Sequence, residues 1–542
     1  MFDILSNEFS RQSHFDYPYP SRRTVVYGRQ GMVATTQPLA AQAGLRILEA
    51  GGNAIDAAVA TAAALTVVEP TSNGLGSDAF AIVWSQGRLW GLNASGPAPG
   101  NMTADWIRSL GNQEQMPSYG WGAVTVPGAP RAWDALSKRF GSMALPDILA
   151  PAVGLARDGF PVSPTVAYFW ARAYERFIEE LSDPKFREWF RIFAPKGRAP
   201  YPGEVWASPS HARTLEEIGR RPDSYYHGNL AEQIVRFSHE TGGVISLDDL
   251  ATFQPQWIMP ISANFHGYDV WELPPNGQGL VALMALKLLA KLDPQADEEW
   301  VHDQIEAIKL GFSDAQEHLA DPRYMNWPAE AFLEDSYLDK RRQLIGSRAM
   351  MPQAGAPSPG GTVYLATADR EGNMVSYIQS NYAGFGSGLV VPGTGIALQN
   401  RGRLFSLQEG HPNYLLPGKR PYHTIIPGFL TYQDRPIGPF GVMGGFMQPQ
   451  GHVQVLINLL RHHLNPQAAL DAPRFYWESG QRVVVEHSMP AKIVESLRQR
   501  GHEIEVTDKV GPFGRGQIIL RNSEGILMGA TEPRADGYIA VF

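Results

Sequence analysis

Apolar and polar positions set out this chain as short alternating strands separated by longer helical stretches. The clearest alternation begins at Thr362, where Val363, Leu365 and Thr367 alternate with Tyr364, Ala366 and Ala368. This period of two predicts a strand, Asp369 to Asn373 a tight turn, and Met374 to Asn381 the returning strand. Just before it stands a loose stretch, MMPQAGAPSPGG, ending in Gly360-Gly361. A flexible glycine-ended segment therefore feeds a threonine into the first position of a buried strand.

The remaining periodicity predicts mixed layers. Residues 1 to 30 read as an extended arm, and GMVATTQP from Gly31 as a short strand. Leu39 to Ala50 has helical spacing, with Ala41 four before Leu45 and Leu48 three after it. Gly51-Gly52 ends this helix, and Asn53 caps a second, alanine-rich one running to Val68 and stopped by Pro70. Ala79 to Trp84 and Arg88 to Leu92 predict a hairpin around Ser85-Gln86-Gly87. Helices follow at Leu145 to Asp158 and Ala167 to Arg176, and Asp183 to Phe193 reads as a solvated helix. Ser246 to Leu250 reads as a helix start, Ile258 to Leu273 as strand-rich, and Leu280 to Leu292 and Glu298 to Leu319 as further helices. After the strand pair come glycine turns up to Gly445, a helix over about Gly451 to Leu464, and a βαβ-like segment from Arg482 to Phe542. The pattern is α+β, with no internal repeat.

Composition narrows the function. The 542 residues suggest three to four domains on length alone, although one large interleaved domain could hold them all. Net charge is −8 and no Lys/Arg-rich block occurs, which argues against nucleic acid or an anionic membrane as partner. Cysteine is absent, so no disulfide, Cys-based zinc site or thiol nucleophile exists. The N-terminal stretch has no basic region leading into an apolar core, and no run of about 18 apolar residues occurs. A cytoplasmic location fits these features.

Familiar motifs are missing. Gly384-Phe385-Gly386-Ser387-Gly388 has its serine out of register for a nucleophile elbow. The 14 histidines show no H-E-x-x-H or other metal spacing, adjacent His462-His463 point in different directions, and no phosphate loop follows a strand. No metal and no cofactor is expected.

Long collinear stretches resemble the γ-glutamyltranspeptidase family of N-terminal nucleophile (Ntn) hydrolases. They are Ala34 to Gly76, Val126 to Gly128, Leu145 to Val162, Gly361 to Asn373, Pro417 to Pro427 (PGKRPYHTIIP), Gly444-Gly445 and Gly529 to Gly537. The resemblance implies a four-layer αββα sandwich with additional helices. It implies a precursor that cuts itself between Gly361 and Thr362 into residues 1–361 and 362–542, two subunits of one interleaved domain. The product would be a heterodimer, and the pairing of such heterodimers stays open. Thr362 matches the family nucleophile. Once freed, its α-amino group, of unperturbed pKa about 7.7–8.0, can act as general base without a histidine. Ser380 matches the second hydroxyl that orients the nucleophile. Gly444 and Gly445 match the pair whose N–H groups form the oxyanion hole.

The substrate handles depart from the family. Its arginine for the glutamate α-carboxylate falls at Ser95, within LNASGPAP. Its acid for the α-ammonium falls at Leu404, within QNRGRLFS, while Arg401 stands three residues earlier in place of a neutral or acidic partner. The family asparagine after the second hydroxyl falls at Tyr382, next to Asn381. His423 and Thr424 stand where two serines often contact the carboxylate. A buried charge without a partner is costly, and an ammonium beside Arg401 would be repelled. The expected acyl group is therefore a small carboxylate without an α-amino group, paired with Arg401 or Arg420. Three small-molecule amides compete: γ-glutamyl compounds such as glutathione, glutaryl side chains as in cephalosporin acylases, and oxamate. A non-enzymatic scaffold is the rival from another class, and an uncut chain after long incubation would favour it.

Overall fold

The strand that opens at the glycine pair lies near the middle of a seven-stranded sheet. The computed structural model describes residues 23–111, 114–294, 296–351, 361–509 and 511–542. The first sheet runs Tyr538–Val541, Gly31–Thr35, Gly361–Asp369, Met374–Tyr382, Asp78–Ser85, Arg88–Ala94 and Gln256–Ile258. The second runs Val26–Gly28, Leu527–Thr531, Arg515–Arg521, Arg435–Met443, Gly428–Tyr432, Tyr268–Glu272 and Ile261–Phe265. Every pairing within these two sheets is antiparallel.

Three apolar clusters define the layers. Tyr364, Ala366 and Ala368 join Phe80, Ile82, Phe429 and Ile519 between the sheets. Val363 and Leu365, one residue out of phase, face the helices Ala54–Val68, Ala129–Phe140 and Leu145–Asp158. On the far side, Val270, Leu430, Phe440 and Ile518 pack against Gly279–Leu289, Asp297–His318 and Met447–Leu456. This is the αββα sandwich. Alternation along a strand buries one set of side chains between sheets and the other beneath helices, so the central strands are buried on both faces.

Local sequence explains the elements near the site. Pro38–Glu49 and Ala54–Val68 form with their turn between, and Asn53 caps the second helix through a capping box with Asp56. The lone acid of the alanine-rich stretch is thus a capping residue. The predicted hairpin turns at Gln86 and Gly87, both at positive φ (56° and 74°), as a two-residue turn between right-twisted strands requires. Leu145–Asp158 forms over the predicted range, as do the helices Gly279–Leu289 and Asp297–His318 within three residues at each end.

Four expectations are corrected. Of the expected N-terminal arm, Val26–Gly28 is an edge strand paired with residues 527–529, and residues 1–22 lie outside the described residues. Arg187–Phe193 is not a solvated helix. Trp189 and Phe193 are fully buried and pack edge-on against Phe385 and Trp170, because they share one face while Arg191 takes the other. The helix expected from Gly451 starts at Met447, since the carbonyls of Gly444 and Gly445 accept from Met447 N and Gln448 N, and it widens into a π-turn at Ile457–Arg461. The C-terminal segment is divided. Arg482–Glu486, Ala491–Gln499 and Glu503–Thr507 make a parallel βαβ unit in a small third sheet, whereas later strands join the two main sheets. The stretch at 352–360 lies outside the described residues. Among the described residues no helix is long and apolar enough to cross a membrane.

Candidate active site

A change of register marks the site. Gly361 pairs with Tyr382 and Val363 with Gln379, so Ser380 and Asn381 together oppose the single residue Thr362. The bulge sets both residues opposite the threonine, and the Ser380 hydroxyl reaches it. Thr362 Oγ1 donates to Ser380 Oγ at 3.2 Å, and Ser380 Oγ accepts from Tyr382 N at 2.8 Å. Tyr382 holds a left-handed backbone (φ 73°), a strain that the surrounding packing sustains. Asn381 Oδ1 accepts from Ser77 Oγ at 2.8 Å, and its buried Nδ2 has no partner among the described residues. Thr362 is 1% exposed and Ser380 fully buried.

Gly444 and Gly445 lie between Arg435–Met443 and the helix at Met447–Leu456, with φ of 134° and 61°. The Gly444 carbonyl points to Met447 N, so the Gly445 N–H in the same planar peptide points away from the helix. Gln278 Nε2 donates to both Gly445 O (2.9 Å) and Thr424 O (2.7 Å), which ties the glycine turn to the 420s loop.

The substrate-binding candidates divide into two groups. Arg401 is completely buried. Its Nη1 donates to Thr424 Oγ1 at 2.7 Å, its guanidinium lies 4.8 Å from the Tyr382 ring centroid, and Asn400 N bonds Asn381 O. Its Nε and Nη2 have no hydrogen-bond partner among the described residues, and burial pushes the group down to about 10. Arg420 Nε donates to Ser95 O at 2.8 Å, and its backbone N donates to Asp321 Oδ2 at 3.0 Å. Ser95 itself bonds Asn93 and Asn276, a structural role. His423 does not offer a hydroxyl-like contact. Ile425 N donates to its Nδ1 at 3.3 Å, which fixes the Nε2–H tautomer facing Asp78 Oδ2 at 3.1 Å, and burial holds the ring well below its usual range.

Two neighbours are absent from the sequence-based set. Asp78, fully buried, pairs in register with Ser380 and lies 3.9 Å from Arg401 Nε. Its legible signal is an acid opening an otherwise apolar strand, DAFAIVWS. Gln448 Nε2 approaches Thr362 Oγ1 at 3.5 Å, while its Oε1 accepts from Ile426 N. Nothing in the local sequence distinguishes it. Leu404, Phe405, Tyr422 and Phe446 line a cavity of about 210 Å³. Gln316, Ser406, His411 and Asn413 also line it.

Among the described residues, one cluster has ligand atoms close enough to hold a cation. His302, Glu306 and His502 bring theirs within 4.8 Å. The first two stand four apart on one helix, a spacing that histidine searches overlook because the third member lies far along the chain. These atoms are engaged in hydrogen bonds. His302 Nδ1 meets His502 Nε2 at 2.8 Å, and Glu306 accepts from Lys309 Nζ at 2.8 Å and from Met350 N at 3.0 Å. A cation would have to displace the Lys309 ammonium, so the cluster suits a polar clamp on residues 346–350.

The arrangement resembles that of known proteins. The Gamma-glutamyltranspeptidase family model matches residues 40–542. A solved cephalosporin acylase from Bacillus halodurans superposes with a TM-score of 0.95 at 55% identity, covering 100% of this chain and 99% of that one. The glutathione hydrolase-like YwrD proenzyme of Bacillus subtilis (strain 168) is 36% identical across 94% of this chain and 98% of its own length. The oxamate amidohydrolase proenzyme of Klebsiella pneumoniae subsp. pneumoniae is 34% identical over the same shares.

Proposed function

This chain belongs to the γ-glutamyltranspeptidase family and is an enzyme, and from that premise we propose that it cuts itself before Thr362 and then hydrolyses small amides whose acyl group ends in a carboxylate. The observation that carries the substrate reading is Arg401: a fully buried guanidinium, joined to the site through Thr424 and Tyr382, with two N–H donors unpartnered among the described residues. The free pair, Nε and Nη2, forms the side-on fork that matches a carboxylate. Where the family acid would hold an ammonium, this chain has the uncharged Leu404.

The chemistry follows from the contacts. In the precursor, Thr362 Oγ1 attacks the Gly361 carbonyl carbon, and the amide nitrogen leaves with a proton. Water then cleaves the ester, giving a Gly361 carboxylate and freeing the Thr362 amine and hydroxyl. In turnover that amine takes the hydroxyl proton as Oγ1 attacks the substrate carbonyl. The oxyanion faces the Gly444–Gly445 turn, whose N–H groups supply donors. The leaving amine departs protonated, and water or another amine releases the acyl group. Ser380 acts by positioning: it accepts from Thr362 and is itself held by Tyr382 N. Ser380→Ala should slow self-cleavage and turnover together by about 10- to 100-fold, the order for one lost hydrogen bond to a reacting group. Time-resolved gel densitometry and steady-state assay on the same sample check this, and unchanged rates would remove Ser380 from the machinery.

A substrate panel tests the reading itself. Glutaryl-p-nitroanilide should turn over faster than γ-glutamyl-p-nitroanilide. Rapid γ-glutamyl hydrolysis with the glutaryl amide and oxamate both left intact would overturn the proposal. Oxamate is the second reading. It satisfies the Arg401 fork and agrees with what the Klebsiella relative's name says it acts on.

A further inference from the structure

The carboxylate that accompanies Arg401 into the core has no part in the chemistry above. Asp78 Oδ2 takes the His423 Nε2–H at 3.1 Å, Oδ1 accepts from Gly96 N at 3.3 Å, and Arg401 Nε stands at 3.9 Å, an ion-pair distance too long for a hydrogen bond. A substrate carboxylate seated on the Nε/Nη2 fork would sit against Asp78. Two carboxylates so placed cannot both be ionised without strong repulsion in a buried site.

We infer that Asp78 is the specificity-determining residue of the acyl pocket, and that its charge state decides whether the pocket accepts an anionic or a neutral acyl group. The inference rests on the carboxylate reading above. With Asp78 protonated, Arg401 carries an unbalanced positive charge and the carboxyl O–H can donate to the incoming carboxylate. With Asp78 ionised, the pair is neutral and the fork suits an uncharged acceptor such as an ester or amide carbonyl.

The surroundings make the switch accessible. Burial raises the Asp78 carboxyl, against the pull of Arg401, the Gly96 N–H and Arg420, to about 7. The groups facing it are Arg401, Arg420, His423, Tyr225 and Tyr226. His423 stays neutral, and both tyrosines are held neutral by burial. Arg420 is bound to Ser95 O. After self-cleavage the Thr362 amine, of ordinary pKa about 7.7–8.0, joins the site and must be separated experimentally.

The test compares kcat/KM for glutaryl-p-nitroanilide with that for its neutral methyl ester, on the self-processed full-length enzyme. The anionic-to-neutral ratio should fall roughly tenfold between about pH 6 and about pH 8, carried by KM, as the protonated fraction of a group titrating near 7 falls. Because both substrates need the same free amine, its effect on the chemical step cancels. In Asp78→Asn the ratio should stay high and flat. A flat wild-type ratio, or a slope that survives in Asp78→Asn, overturns the inference. If the variant fails to process, calorimetry on wild-type enzyme with free glutarate decides. Two buffers of different ionisation heat at about pH 7.5 should show proton uptake on binding, and binding without uptake, or no binding, overturns it. Absence of turnover on every amide would instead defeat the reading of the reaction, leaving proton-linked glutarate binding as an independent measure of Asp78.

Discussion

Thr362→Ala will remain a single chain of 59.6 kDa after an incubation in which the wild-type chain separates into fragments of 361 and 181 residues. Hydrolysis will fall to background, a loss of at least about 10⁴-fold, the order seen when a covalent nucleophile is removed. The same hydroxyl is proposed to act in both reactions, so one substitution abolishes both. The variant should still fold. The threonine contributes its hydroxyl contacts to Ser380 and Gln448, while the strand on either side keeps its ladder with Met374–Tyr382. Intact mass spectrometry with N-terminal sequencing checks the outcome. A fragment beginning at residue 362 in the alanine variant would show that another group cuts the bond.

Arg401→Leu should lower kcat/KM for a glutaryl amide by about 10²- to 10³-fold, equivalent to roughly 3–4 kcal/mol, while a neutral acyl amide changes far less. The loss falls mainly on KM, because the guanidinium holds the acyl group in ground and transition states alike. Arg401→Lys should rescue little, since an ammonium cannot reproduce the side-on fork. Removing the cation also strands Asp78, whose carboxyl then moves further toward the neutral form. A thermal melt therefore belongs beside the kinetics, to separate lost recognition from lost fold. An anionic-to-neutral ratio of kcat/KM unchanged from wild type in the leucine variant would assign Arg401 a purely structural role.

The elements around the site were largely legible because each is written in local pattern. Alternation after Thr362, the Asn53 cap and the glycine pair at 444–445 each constrain only a few neighbouring residues. Burial of both strand faces was less legible, because alternation announces one apolar face and the second sheet lies far along the chain. Arg187–Phe193 shows the same limit: its charges read as solvated until the partners Trp170 and Phe385 are known. The site follows suit. Thr362 and Ser380 share one hairpin, so their meeting could be expected, whereas the contact of Arg401 with Thr424 appears only in the structure. Asp78 and Gln448 reach the same point from separate elements. Only the register Ser380 to Asp78 and the helix start after Gly445 bring them there. Arg420 shows the reverse case, a cation with the right chemistry already bound to a backbone carbonyl.

The threading of the two sheets has a consequence for the history of a cut molecule. In the first sheet, Gly361–Asp369 is hydrogen-bonded between Gly31–Thr35 and Met374–Tyr382, and the second likewise mixes strands from both sides of residue 361. Once the 361–362 bond is broken, neither fragment can leave without dismantling both sheets, so dilution alone will not separate them. Denaturation, however, removes the only link between them. The intact precursor refolds as a first-order process, whereas cut enzyme must find its other half at a rate set by concentration. The proposed self-cleavage would thus make recovery from unfolding depend on the concentration of both fragments.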